Sequence, residues 1–438
     1  MSVEETIASW ASGLRWEAVP PTVRTKVEDM LLDALASGLA GRSQALVHEI
    51  EPVARAFAGE GSAAAATFVE AYRITSATVC DVYRPGLCHT TPVVVPPLLA
   101  LGLERETSGA TVLAALAVGL EVMCRLCRAL DYPTLRERGW HSPGVVGPVG
   151  AAAAVSRLLD LDPVSTRNAM AHGAAQSAGT FASLGTEAVK FNQARAAVSG
   201  LLAGLMGEAG LAASARWLTD PDGGMQHGYA GGSGAPDALV RDLGEHWELE
   251  SISLRRWPAA SSVQSLIDVC LDLDVAPDDV ESMSIALSPS AYEVSGDRGW
   301  ETPLAAQQSA CWVAAAVLHD RDWWLEQSSA SRILNHAVGA FASERVTVTA
   351  TPALDQAAVE VRLVLCDGGE LVRTRDAAPG DPSDPLTRGQ IEAKTRRAAQ
   401  SAGMGDIAET MIEAARDLES SPSAATLAQL LRPSGALA

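Results

Sequence analysis

Phosphate-cradling and hydrolase signatures are missing from this chain: its 438 residues contain no GxGxxG, no GxxxxGK(S/T), no GxSxG and no HExxH. Nucleotide-binding and zinc-hydrolase readings therefore lack their usual carriers. Positive charge is scarce as well. Against 53 Asp and Glu stand 33 Lys and Arg, a formal net charge of −20, and a nucleic-acid or anionic-membrane surface needs clustered cations to displace counterions. The expected partner is a small molecule, with no nucleic acid and no membrane. No apolar run reaches the roughly 18 uncharged residues of a membrane helix. The N-terminus carries Glu4 and Glu5 where a signal peptide would be basic and then apolar. The expected location is cytoplasmic. Cysteine is sparse and odd in number, seven in all, without the dense spacing of a secreted disulfide framework. Cys124 and Cys127 form a CxxC, but no second CxxC or HxxxH accompanies it, so buried structural thiols are expected there rather than a zinc or redox site. No internal repeat is present.

What is present is ample apolar material, 47% of residues, enough for the cores of two or three domains. From Val3 to about Ile267 apolar residues recur at three- and four-residue spacing, as in Val23, Val27, Met30 and Leu31, which predicts a large helical domain. Ala-rich runs such as Gly150 to Val155 and Ala194 to Ala203 let helices approach closely and read as its interior. After Asp272 the texture changes. Ser282 to Leu287 and Arg345 to Thr351 alternate, and Val359 to Cys366 and Leu371 to Thr374 flank the turn Asp367-Gly368-Gly369. Helices are predicted between these strands over Ala305 to Leu318 and Asp320 to His336, giving an α+β unit. Beyond the loop Pro379 to Pro385 helices resume, and the tail is expected to pack on the first domain.

Four clusters hold chemistry-bearing residues in unusual local sequence. Cys80-Asp81-Val82-Tyr83-Arg84-Pro85-Gly86-Leu87-Cys88-His89-Thr90-Thr91-Pro92 places an acid, a phenol, a guanidinium and an imidazole ahead of an apolar helix. Arg138-Gly139-Trp140-His141-Ser142-Pro143-Gly144 does the same for a second imidazole. A helix N-terminus favours anions and depresses a histidine pKa, which suits a neutral base beside a carboxylate. Thr186, Lys190, Asn192 and Arg195 open a small-residue helix. Arg255 lies in Leu254-Arg255-Arg256-Trp257-Pro258, which leads to Ser261, Ser262 and Gln264. Cations in such apolar surroundings need an anionic partner, either a substrate carboxylate or a neighbouring Asp or Glu.

Taken in order, these clusters resemble the MmgE/PrpD family. Leu31-Leu32-Asp33 with Gly38 and Gly41 is similar to its first-helix pattern. Asp81 to Pro92, Arg138 to Gly150 and Gly185 to Ala197 resemble its next three segments. Leu254 to Pro258, Gln308-Ser309, Gly380-Asp381-Pro382 and Asp384-Pro385-Leu386 resemble those that follow. The resemblance implies a mainly α fold, with a helical domain over residues 1–268 completed by 386–438 and a smaller α+β lid over 269–385. It also implies homodimers and no metal or organic cofactor. Matched position by position, Asp81, His89, His141 and Lys190 are the catalytic candidates. Tyr83, Arg84, Thr186, Asn192, Arg195, Arg255, Gln264 and Gln308 are the substrate-binding candidates. Departures stand beside the matches: Asn192 and Gln264 occupy usual histidine positions, Arg255 replaces a lysine, and Trp312 lies near a usual tyrosine. A planar fork in place of a point charge changes the geometry of carboxylate recognition.

The expected activity is that of a lyase, a dehydratase or decarboxylase that removes a proton next to a carboxylate while cations stabilise the enolate-like charge. An isomerase, epimerase or cyclase using the same proton transfer is the alternative, and a non-catalytic binding protein that keeps the fold is a third.

Overall fold

The computed structural model describes residues 1–430, so the end of the expected helical tail, residues 431–438, lies outside the described residues. The chain divides into two compact units, one formed by Met1–Ser76, Cys80–Ile252 and the segment from Arg388 onward, the other by Ala77–Val79 and Ser253–Thr387. The fold is mainly α, with a smaller α+β unit.

In the first unit the helix Ser142–Leu158 is buried along its whole length. It carries apolar and small residues all round, as a helix at the centre of a helical fold must. It packs against Gly109–Ala129, Pro163–Ala174 and Ala188–Glu208. The Ala-rich runs make that packing possible. A Cβ added to Gly200 would sit 2.2 Å from the Cβ of Ala151, and one on Gly147 would meet Ala196 at 3.0 Å. The helix Gly109–Ala129 is long and apolar enough by length and composition to cross a membrane, but 89% of its apolar window is buried inside the unit. It also carries the buried ion pair Glu121–Arg125. Pro21–Arg42 uses the predicted face, Val23, Val27, Met30 and Leu31, and the returning helix Arg388–Ser401 packs on it. Between those two helices Lys394 Nζ donates to Asp33 Oδ1 at 2.5 Å, both side chains being almost fully buried.

The second unit is built on a four-stranded sheet in the order Val346–Ala350, Val280–Leu287, Val359–Leu365, Glu370–Arg375. The first pair is parallel, with Met283 opposite Val346, and the other two pairs are antiparallel. These strands fall where the alternation predicts them. Met283, Ile285 and Leu287 alternate inward, yet Val280 is buried too. A register shift between Val280 and Ser282 explains this, because one extra residue flips the side-chain phase. Gly368, at φ +86°, closes the hairpin before Glu370–Arg375.

Two helix predictions need correction. Ala305 to Leu318 is two helices, Pro303–Ala306 and Ala310–Asp320, broken at Gln307–Ser309, where Ser309 caps the second by accepting from Trp312 N–H. Asp320 to His336 is largely irregular, and the helix there is His336–Glu344. Arg321 adopts a left-handed conformation, φ +54°, which ends the helix before it. The next backbone N–H groups then go to side chains: Trp323 N to Asp322 Oδ1 and Trp324 N to Gln327 Oε1, both 2.8 Å.

Candidate active site

The first cluster folds as a tight hairpin. Tyr83 N–H donates to Cys88 O at 2.7 Å and Cys88 N–H donates back to Tyr83 O at 3.1 Å. Leu87 takes φ +40° at the turn. Gly86 passes so close to Cys127 that a Cβ would lie 2.7 Å from its Sγ. Cys88, Cys124 and Cys127 are all buried free thiols, and burial pushes the Cys88 and Cys124 thiols well up from their ordinary value. The CxxC is thus packed under the hairpin, as structural thiols are. Among the described residues, no group of three His, Cys, Asp or Glu is arranged to hold a metal ion.

Asp81 is fully buried, and its carboxylate is occupied. Oδ2 accepts from Thr90 N and Thr90 Oγ1, each at 2.8 Å; Oδ1 accepts from Thr91 N at 3.0 Å and from Thr91 Oγ1. These donors lie at the start of the helix Thr91–Glu104, where a carboxylate satisfies orphan N–H groups. His89 meets Asp81 through the backbone instead, its Nδ1 lying 2.6 Å from the Asp81 carbonyl oxygen. A carbonyl can only accept, so Nδ1 carries the proton. Nε2 is then the acceptor of the neutral ring and a second donor when the ring is charged.

His141 is the N-cap residue of Ser142–Leu158. The next residue stitches this helix to the hairpin, since Ser142 Oγ donates to Gly86 O at 2.6 Å and contacts Leu87 O at 3.1 Å. His141 is only 5% exposed. Its Nδ1 has no hydrogen-bond partner among the described residues. Burial is the main cause that drops its pKa to about 3, and the charges of His89, Lys190 and Arg195 push the same way. The ring is therefore neutral near pH 7, and the positive charges of Lys190 and Arg195 that act on it favour an anion nearby. The Phe181 ring lies 6.5 Å from the imidazole, with the Arg136 guanidinium 3.6 Å above Phe181.

Lys190 is buried in the helix Ala188–Glu208, and its Nζ donates to Thr75 O at 2.6 Å. Thr75 is the penultimate residue of the helix Ala63–Ser76, whose terminal carbonyls attract a cation.

The other candidates divide clearly. Tyr83 is buried and donates to Glu248 Oε2 at 2.7 Å; burial first, and then the charges near it and this bond, raise its phenol pKa strongly. Arg84 is partly exposed on the hairpin. Thr186 is exposed and donates to Ser183 O, and Asn192 Nδ2 donates to Ser183 Oγ at 2.9 Å. Arg195 donates to three backbone carbonyls. Arg255, Gln264 and Gln308 belong to the second unit and are buried there. Arg255 Nη1 donates to Ala259 O. Gln264 exchanges bonds with the Trp257 N–H and the Trp257 and Ala259 carbonyls. Gln308 Oε1 has no partner among the described residues. Trp312 is buried and donates to Gln327 O at 2.9 Å.

Within the first unit, then, His89, Lys190 and Arg195 each act electrically on His141, whereas the Asp81 carboxylate and the Tyr83 hydroxyl turn to other partners. Sequence reasoning passed over Thr90, Thr91 and Ser142 as working residues. Their signal was position, two hydroxyls and one more at helix starts.

Comparison with known proteins gives this geometry its family. Residues 5–236 match the model of the MmgE/PrpD N-terminal domain and residues 257–420 that of the C-terminal domain. The chain is 25% identical to the cis-aconitate decarboxylase-like protein oryM of Aspergillus oryzae, over 91% of each chain. It is 24% identical to cis-aconitate decarboxylase of Homo sapiens, over 98% of this chain and 95% of the relative. To the cis-aconitate decarboxylase of Aspergillus terreus it is 25% identical over 75% and 74%. Matched across both domain models, this chain belongs to the MmgE/PrpD family.

Proposed function

We propose that this protein is a lyase of the dehydratase or decarboxylase type, and more finely a decarboxylase of a small unsaturated polycarboxylate such as cis-aconitate. The observation that carries the reading is His141: neutral, buried, with an unpartnered Nδ1, and ringed by His89, Lys190 and Arg195. Its kinship with decarboxylases supports the reaction type.

In this scheme the carboxylates of the substrate meet the Lys190 ammonium and the His89 imidazole. Their arrival reverses the field at His141, so the imidazole gains a proton as the complex forms. The bond from carbon to one carboxyl group then breaks, and carbon dioxide leaves without the electron pair. That pair moves into the conjugated system as an enediolate on a remaining carboxylate, where fixed cations stabilise it. His141 delivers its proton to carbon, so one proton is consumed for each carbon dioxide released. Asp81 serves by holding His89 and the helix start in place.

The test is to incubate the purified chain with cis-aconitate in deuterium oxide and follow the mixture by NMR and mass spectrometry. The expected product has lost one carboxyl group and carries one deuterium at carbon, and His141→Asn abolishes its formation. Water loss or gain with the carboxyl groups intact would move the assignment to a dehydratase. Exchange without any mass loss would point to an isomerase, and binding without exchange would sink the enzyme reading.

A further inference from the structure

Arg195 follows Lys190 on the helix Ala188–Glu208, and its guanidinium works on backbone. Nη1 donates to Gln176 O at 2.6 Å and lies 3.5 Å from Ser199 Oγ; Nη2 donates to Gly144 O and Ala178 O, each at 2.9 Å. No carboxylate is among these partners.

The three carbonyls belong to two segments that meet at His141. Gly144 is in the first turn of the His141 helix, and its N–H closes on His141 O at 3.0 Å. Gln176 and Ala178 lie on the stretch leaving the helix Pro163–Ala174, and the next residue, Gly179, accepts the His141 N–H at 3.1 Å. The two segments also touch directly, Ala178 N–H donating to Gly144 O at 3.1 Å and Ser177 Oγ to Val145 O at 2.6 Å. The approach is so close that a Cβ on Gly144 would stand 2.3 Å from Ala178 O. From the far side Tyr229 OH donates to Ser177 O at 2.6 Å. The fork of Arg195 therefore closes a ring made of the Lys190 helix, the segment 176–179 and the first turn that begins at His141. A planar guanidinium reaches three carbonyls at set angles, which an ammonium on a flexible stem does not.

We propose that Arg195 is a positioning residue: by tying the Lys190 helix to the first turn of the His141 helix it fixes the Lys190 ammonium relative to the His141 imidazole, and it does not hold the substrate carboxylate. This rests on the reading of His141 as the proton carrier. A displacement of about 1 Å at a reacting group is enough to lower turnover by about a hundredfold.

The experiment uses the full chain labelled with ¹³C,¹⁵N-histidine, with the His141 ring signals assigned by their loss in His141→Asn. Arg195→Lys keeps the charge and loses the fork; Arg195→Ala loses both. Arg125 is the control. It makes a similar fork onto the Arg241 and His246 carbonyls, each at 2.6 Å, and is not among the groups that act on His141. The groups that act on His141 are His89, Lys190 and Arg195, so the ring signal reports on this cluster. The wild type is expected to show one neutral tautomer between pH 6 and 8. Arg195→Lys and Arg195→Ala are both expected to spread the His141 signals over several environments, while Arg125→Lys lowers the melting temperature and leaves them in place. A His141 spectrum in Arg195→Lys that superposes on the wild type overturns the proposal, because charge alone would then suffice. If Arg195→Ala fails to fold, Arg195→Lys and Arg195→Gln carry the test. Where turnover is measurable, kcat falls about a hundredfold in Arg195→Lys with little change in KM, and a raised KM with kcat intact refutes positioning. The spectra need no substrate, so absence of turnover in the wild type would sink the decarboxylase reading and leave this result standing.

Discussion

His89 Nδ1 lies 2.6 Å from the backbone carbonyl oxygen of Asp81, while the Asp81 carboxylate faces away to Thr90 and Thr91. One acidic residue therefore does two jobs with two different groups: its carbonyl fixes the tautomer of a histidine, and its side chain fastens the helix that follows. Asp81→Ala is expected to destabilise the protein by on the order of 3 kcal/mol, since four donors lose their acceptors in a buried site. Asp81→Asn keeps the acceptor on one side only and is expected to cost less. Denaturant titration of the two variants checks this order; equal stability to the wild type would show that the carboxylate is not fastening the helix.

The pKa of His141 sets a pH dependence with a definite sign. In the folded protein it is lowered from 6.5 to about 3, first by burial and then by His89, Lys190 and Arg195. Between those values the unfolded chain binds a proton that the native ring refuses, so this residue makes stability rise with pH up to about 6.5 and leaves it flat above. The slope approaches 1.4 kcal/mol per pH unit. His141→Asn is expected to flatten that rise, and unfolding midpoints at pH 5.0 and 6.5 for both proteins measure it. Parallel curves would mean that the ring is not buried as a neutral group.

Lys394 and Asp33 form an ion pair at 2.5 Å with side chains 3% and 0% exposed. Lys394→Met leaves a buried carboxylate behind and is expected to cost about 3–5 kcal/mol, whereas Lys394→Met with Asp33→Leu recovers much of the loss. A double variant no better than the single would show that other contacts of Asp33 dominate.

Thiol chemistry distinguishes the cysteines. Cys366 is exposed and Cys311 partly so, while the other five are buried. An aromatic disulfide reagent is expected to label Cys366 quickly in the native protein, Cys311 slowly because burial raises its pKa, and the rest only after unfolding. Fast native labelling of Cys124 or Cys127 would contradict their packing under the hairpin.

The sequence announced the strands well because each alternates on one face, so Val359–Leu365 and Glu370–Arg375 fall where the pattern puts them. It misled over Asp320 to His336, which is largely irregular. What ends the helix there is a left-handed Arg321 and side chains that capture backbone N–H groups, neither of which leaves a periodic trace. The histidines were legible because each sits before a helix. The choice of partners was not. That Arg195 spends its fork on Gly144, Gln176 and Ala178 depends on three segments meeting in space, and a cation in an apolar stretch reads the same whether it awaits a substrate or a carbonyl.

The discontinuity of the first unit has a consequence for biosynthesis. Residues Ser253–Thr387 of the second unit emerge from the ribosome as one stretch and can close on themselves early, but Asp33 must wait for Lys394. Until that late helix arrives, the flank of Pro21–Arg42 that Arg388–Ser401 covers stays open, and partly folded chains with uncovered apolar surface are the ones most prone to aggregate.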